Sequence, residues 1–204
     1  MAKIKNTKTE LKAQKDALKR YQRFLPMLQL KKQQLQVEIS TIATAIDDLD
    51  AKTNAWRKTL DSWIGLFSTD DLPEDLVVLK ATKTDTGNIA GVTIPLYAGI
   101  DTERKELDLL STPSWLDDAA DALHKAMEFR AERDILEEQR RLITDELHTT
   151  SQRVNLFEKV KIPECKENIR VITIHIGDES TAAVARGKIA KKRNVAINRV
   201  KEEA

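Results

Sequence analysis

The side chains best suited to chemistry are few, and their spacing does not suit it. His124, His148 and His175 stand 24 and 27 residues apart, and none has a second ligand at the short spacing of a metal site. The single cysteine, Cys165, can neither complete a structural zinc site nor close an intrachain disulfide. A phosphate-binding loop needs Gly-x-x-x-x-Gly-Lys-Ser/Thr; here Gly177 and the pair Gly187-Lys188 are ten residues apart. Neighbouring Asp and Glu residues are too numerous for any pair to stand out as an acid–base dyad, and solvated helix faces explain them. Trp56 and Trp63 fall on an apolar seam described below, so they read as packing residues rather than a base-stacking platform. The expectation is a chain with no catalytic residues, no metal and no cofactor.

Composition says what such a chain is instead. Its 204 residues are 33% charged and 4% aromatic, with six Gly, five Pro and a net charge of +1. That balance favours long helices, which bury a narrow apolar stripe and leave the rest solvated. A near-neutral total gives no general pull toward nucleic acid or membrane. The start, MAKIKNTKTE, has no apolar core of a secretory signal. The longest largely apolar stretch, Ile89 to Ile100, is too short to cross a bilayer and contains Pro95. The chain reads as soluble.

Glycine and proline divide it into arm, irregular middle and arm, with expected boundaries at 1–66, 67–112 and 113–204. In the first arm one apolar series runs Ile4, Leu11, Leu18, Leu25, Ile39, Ile46, Leu60, Phe67 at seven-residue steps, failing at Lys32 and Thr53. A second runs Tyr21, Leu28, Leu35, Ile42, Leu49, Trp56, Trp63, with Thr7 and Gln14 failing near the terminus. Alternating steps of three and four keep one seam facing a partner helix, the coiled-coil pattern. Pro26 lies off the seam and should kink the helix without ending the repeat. The second arm opens with Thr112 as N-cap, Pro113 at the first helical position, and Asp117 and Asp118 in the first turn. A lone helix cannot bury its seam, so the arms are expected to fold back as an antiparallel pair; a parallel dimer is the alternative. In the middle, Leu76-Val77-Val78-Leu79 and Val92-Thr93-Ile94 flank Thr86-Gly87-Asn88, which is turn chemistry. The expected fold is mainly α: a long antiparallel two-helix coiled coil carrying a short β-hairpin at its tip, with an irregular loop as the competing reading. Ile169 to Ile176 suits a strand by β-branching and a helix by spacing, and propensity leaves both open.

Charge is unevenly spread. Residues 1–24 carry eight basic side chains against two acidic, and residues 182–201 carry seven basic and no acidic ones. Residues 70–75 hold four acids, and residues 101–121 hold seven acids against two bases. Folding back the arms makes one end basic and the other acidic. A basic end implies an acidic or polyanionic partner, although charged termini also serve plain solubility.

The segment Thr149-Thr-Ser-Gln-Arg-Val-Asn-Leu-Phe-Glu-Lys-Val-Lys-Ile-Pro163, continuing to Asn168-Ile-Arg170, closely resembles the C-terminal signature of the D subunit of V-type and A-type ATPases. Thr9-Glu-Leu-Lys, Leu30-Lys-Lys and Leu35 look like that family's first helix, and Asn88-Ile-Ala-Gly-Val-Thr-Ile-Pro95 its central segment. The match spans most of the chain in order. Leu25-Pro26, Gly177 and Gly187 depart from the family pattern; the last two dilute a stretch usually richer in Glu and Arg.

The resemblance implies a non-catalytic central-stalk rotor shaft, carrying torque between an A–B catalytic hexamer and an ion-translocating membrane rotor. Its implied partners are the A and B subunits, the F subunit and a membrane-rotor socket subunit, with no direct nucleic acid and no membrane insertion. Its implied place is cytoplasmic, peripheral at the inner face of the cell membrane. Lys188, Lys191, Lys192 and Arg193 are then expected at the hexamer end, and Arg153, Val154 and Asn155 at the shaft and the contact with the F subunit. The rival is a polarised coiled-coil adaptor whose basic end grips nucleic acid, with salt-sensitive binding.

Overall fold

The computed structural model describes residues 5–65, 73, 75–105 and 112–202, with side chains as far as Val195. Helix α1 spans Lys8–Leu60, strand β1 Val77–Ile89, strand β2 Val92–Arg104 and helix α2 Trp115–Asn155. A π-helical turn, Leu156–Lys161, then leads directly into helix α3, Ile162–Glu202. The chain forms two compact units, Leu30–Ser151 and Met1–Gln29 with Gln152–Ala204. Each contains part of both arms.

In the unit of residues 30–151 the first-arm seam is buried: Leu35, Ile42, Ile46 and Leu49 are all at most 5% exposed. Leu35, Ile42 and Ile46 form one cluster with Ile143 of α2 and Ile94 of β2. Lys31 pairs with Glu146, Asp50 with Arg133 at 3.0 Å, and the Trp56 and Phe129 rings lie 5.6 Å apart. Partners on α2 fall in number as those on α1 rise, so the helices are antiparallel within one chain. Thr53, a failure of the heptad, donates its hydroxyl to the Leu49 carbonyl at 2.8 Å and so brings no unpaired polar group to the seam.

The other unit repeats the arrangement. Gln14 accepts a hydrogen bond from Asn168, and the Tyr21 and Phe157 rings are 5.0 Å apart. Helix α1 continues through Pro26; the Gln22 carbonyl that loses a partner there lies on an exposed residue. Ile169–Ile176 is helical. Ile172 is 1% exposed whereas Val171 and Ile174 face solvent, so burial along one helical face outweighs β-branched propensity. The second helix begins at Trp115, two residues later than the expected start at Pro113, and Asp117 and Asp118 are in its first turn as expected. Ile4 and Phe67 of the heptad series lie outside the described residues.

The middle is a two-stranded antiparallel hairpin, and it corrects the expected turn. Residues 86–88 are inside β1; the chain reverses at Ala90-Gly91, between the paired Ile89 and Val92. Ala90 and Gly91 have φ of +50° and +83°, the two left-handed positions of a hairpin turn whose twist matches its strands. The Asn88 side chain accepts from the Gly91 N–H at 3.0 Å. Gly87 serves packing instead: a Cβ there would meet Leu96 at 3.0 Å. Lys80 and Ala98 are unpaired at two bulges, the second beside Gly99 at φ +122°.

The hairpin is not a cap on the helix tip. It lies back along the helix pair, its turn residues Ile89, Ala90 and Val92 packed on the Leu35–Ile143 cluster. Its other end starts from Leu76 and Val77, buried with Leu116, Ala119 and Ala120. Lengths agree with this: a 13-residue strand spans roughly 43 Å, and Leu116 to Ile143 covers roughly 40 Å of helix. Gln139, only 6% exposed, donates to the Pro95 carbonyl at 2.6 Å. Thr102 and His124 share a hydrogen bond of 2.9 Å, and Arg104 pairs with Asp121.

Tyr97 faces α2 with its hydroxyl buried and unpartnered among the described residues. Burial, then Glu128 and Glu132, push its phenol above the ordinary range. A raised folded pKa favours the neutral form, so this contribution to stability is full below about pH 10 and lost as pH rises further. Alkaline titration followed by hairpin exchange or fluorescence should therefore show the hairpin loosening. Tyr97→Phe should abolish that transition and, by removing an unpaired buried hydroxyl, raise stability at neutral pH by about 1 kcal/mol.

Candidate interaction surfaces

Among the described residues no group of three His, Cys, Asp or Glu side chains is placed to hold a metal ion. His124 joins Thr102 and lies 3.6 Å from Glu128, a role in docking the hairpin. Cys165 is 5% exposed, and burial pushes its thiol up, away from the thiolate a nucleophile needs. Trp56 packs on Phe129, and Trp63 lies against the cluster of Leu76 and Leu116.

Both basic stretches belong to the unit of residues 1–29 and 152–204. With Gln14 opposite Asn168, the start of α1 at Lys8 falls near Ile174, and α3 continues for roughly 40 Å beyond it. Every residue from Gly177 to Val195 is accordingly exposed. Lys188, Lys191 and Lys192 border one shallow surface hollow with Val195, because residues three and four apart share a helix face. Arg193 is exposed beside them. In the unit of residues 30–151 the acidic group is partly neutralised: Lys105 pairs with Asp75 at 2.7 Å and Lys80 with Glu103 at 3.1 Å. The Lys105 ammonium holds the Asp75 carboxyl below its usual range. Asp70, Asp71, Glu74, Glu106 and Asp108 lie outside the described residues.

The three signature residues divide. Val154 is 5% exposed on the seam, while Arg153 and Asn155 are exposed on either side of it. Immediately after them the helix widens, and Ile162 N–H donates to the Phe157 carbonyl five residues back. Pro163 gives the reason: it has no N–H, and in a regular α-helix its ring would meet the Lys159 carbonyl, which a wider turn moves aside. Sequence reading missed the apolar side chains exposed on either side of this turn, among them Phe24, Met27, Leu156 and Val160. Phe24 and Met27 belong to neither heptad series, which was the available signal.

The model of the ATP synthase D-subunit family matches residues 10–192. The chain belongs to that family. It is 45% identical over 199 residues to the V-type ATP synthase D subunit of Borreliella burgdorferi, covering 98% of each chain. Identity to the V-type ATP synthase D subunit of Chlamydia muridarum is 34%, over 93% of this chain and 95% of that one. The Chlamydia caviae protein of the same name is 31% identical over 98% of this chain and 97% of its own. In this member of the ATP synthase D-subunit family, burial separates the cost of substituting Val154 from that of substituting Arg153. Val154→Ala should lower stability by about 1–2 kcal/mol in chemical denaturation, because it opens a gap in the seam. Arg153→Ala should stay within about 0.5 kcal/mol of the parent.

Proposed function

We propose that this chain is the central rotor shaft of a V/A-type ATPase, carrying torque between a catalytic A–B hexamer and the ion-translocating rotor in the membrane. The observation that carries this reading is the match to the D-subunit family along nearly the whole chain. The antiparallel seam in each compact unit supports it, since mutual burial of two apolar stripes resists bending and twisting. In this reading the chain performs no bond chemistry. It presents a different side to each of three equivalent catalytic sites, and so biases their conformations in turn.

The basic stretch of α3 meets the hexamer, with Lys188, Lys191, Lys192 and Arg193 facing acidic loops of the A and B subunits. Arg153 and Asn155, with the exposed Phe24, Leu156 and Val160 of the same unit, meet the F subunit, while Val154 holds the seam. The acidic end points to the socket subunit of the membrane rotor. The complex sits peripherally at the inner face of the cell membrane; among the described residues no helix is long and apolar enough to cross it. The three segments, 1–66, 67–112 and 113–204, are mechanical rather than independent folding divisions.

Reversing Lys188, Lys191, Lys192 and Arg193 to Glu tests the hexamer contact. The expected result is at least a tenfold loss of A and B subunits co-purifying with the tagged chain, and loss of ATP-driven ion pumping, with the helix content of the isolated chain unchanged. Pumping at the parent rate would refute the contact.

A further inference from the structure

The hairpin covers one flank of the helix pair formed by α1 and α2, where Thr102, Pro95 and Arg104 reach His124, Gln139 and Asp121. At 100° per residue, the α2 positions Ala122 and Ala126 fall on the other flank of the seam. There a groove of about 420 Å³ is open, with Trp56, Leu60 and Ile64 along one wall and Ala122 and Ala126 opposite. It exists because Trp56 and Leu60 on α1, with Ile64 in the turn just beyond it, face two methyl groups on α2. Ile64 is 49% exposed, so apolar surface is left wet within the groove.

Charge around the groove is ordered. Arg130 pairs with Asp134 at 3.1 Å, and Arg133 pairs with Asp50 and Glu137 at 3.0 and 2.9 Å. Arg57, which lines both this groove and the adjoining polar cleft of Asn54 and Arg133, enters no ion pair among the described residues. Asp61, four residues on and just past the end of α1, is likewise without one among them and also borders the groove. The two thus present a cation and an anion four residues apart beside the same groove.

We propose that this groove receives an amphipathic helix of a partner protein, its aliphatic stripe lying along Trp56, Leu60 and Ile64. An acidic side chain of that helix meets Arg57 and a basic one, a turn away, meets Asp61. Trp56 and Leu60 stand one turn apart on α1 and Ile64 continues the apolar wall beyond the helix end, and helix-in-groove recognition uses a short row of anchors of this kind. A second copy of this chain fits poorly. An isologous contact would set the same concave surface against itself, and a groove does not fill a groove. The charge order also fixes the direction of the bound helix, since the reversed orientation sets like charges together.

The test is a photo-crosslinking amino acid in place of Ile64, activated in the assembly that the tagged full chain forms in its native cell, with crosslinked peptides identified by mass spectrometry. The expected product joins position 64 to a helical segment of a different protein bearing an acidic and a basic residue a turn apart. Filling the floor by Ala126→Leu, or reversing the charge by Arg57→Glu, should cut its yield at least tenfold while circular dichroism and melting of the isolated chain stay as in the parent. A crosslink to a second copy, to residues 66–72 of the same chain or to a non-helical segment would overturn the proposal. So would no crosslink at all, or a yield that both variants leave unchanged.

Discussion

Everything in this chain rests on the mutual burial of two apolar stripes. Neither α1 nor the α2–α3 run could persist alone in water with its seam exposed, because helix propensity supplies too little and an apolar stripe invites association. In the unit of residues 30–151 the stripe of Leu35, Ile42 and Ile46 meets Ile143, and the β-hairpin then uses the same cluster as its anchor through Ile94. One interface therefore fixes the helix direction, holds the sheet and sets which faces remain for partners. Ion pairs such as Asp50–Arg133 follow from that register; being part exposed, they select it more than they stabilise it.

The hairpin shows how a two-stranded sheet survives with little cover. A hairpin alone is marginal in water, and most of β1 is exposed on both faces. Docking β2 on α2 supplies the missing burial through Ile94 and the Gln139–Pro95 bond. The free edge of β1 is guarded by Lys80 at a bulge and by Lys83, features that discourage strand addition.

The seam was legible in the sequence because it repeats: seven-residue steps over many turns leave few other structures, and Leu35, Ile42, Ile46 and Leu49 are buried as that repeat requires. The hairpin's existence was legible and its details were not. With both faces of β1 in solvent, Lys80 to Thr86 carry no alternation to mark a strand, and Thr86-Gly87-Asn88 imitates a turn although Gly87 only makes room for Leu96. Ile169–Ile176 was undecidable locally, since its state is set by the partner helix that buries Ile172. The basic residues of α3 could be counted but not placed, because their exposure follows from α3 outrunning α1. The groove beside Trp56 was invisible, since a seam tryptophan and two alanines reveal a hollow only once their helices are set side by side.

The central claim is that both arms pair antiparallel within one chain. It is tested most directly by cysteine trapping with Cys165 replaced by Ser: one variant carries cysteines in place of Gln14 and Asn168, another in place of Lys31 and Glu146. A flexible bismaleimide linker, long enough for pairs that meet only through the ends of their side chains, should give intrachain crosslinks in both, seen as monomers of altered mobility that dilution does not abolish. Crosslinked dimers whose yield rises with concentration, with no intrachain product from either pair, would contradict the account.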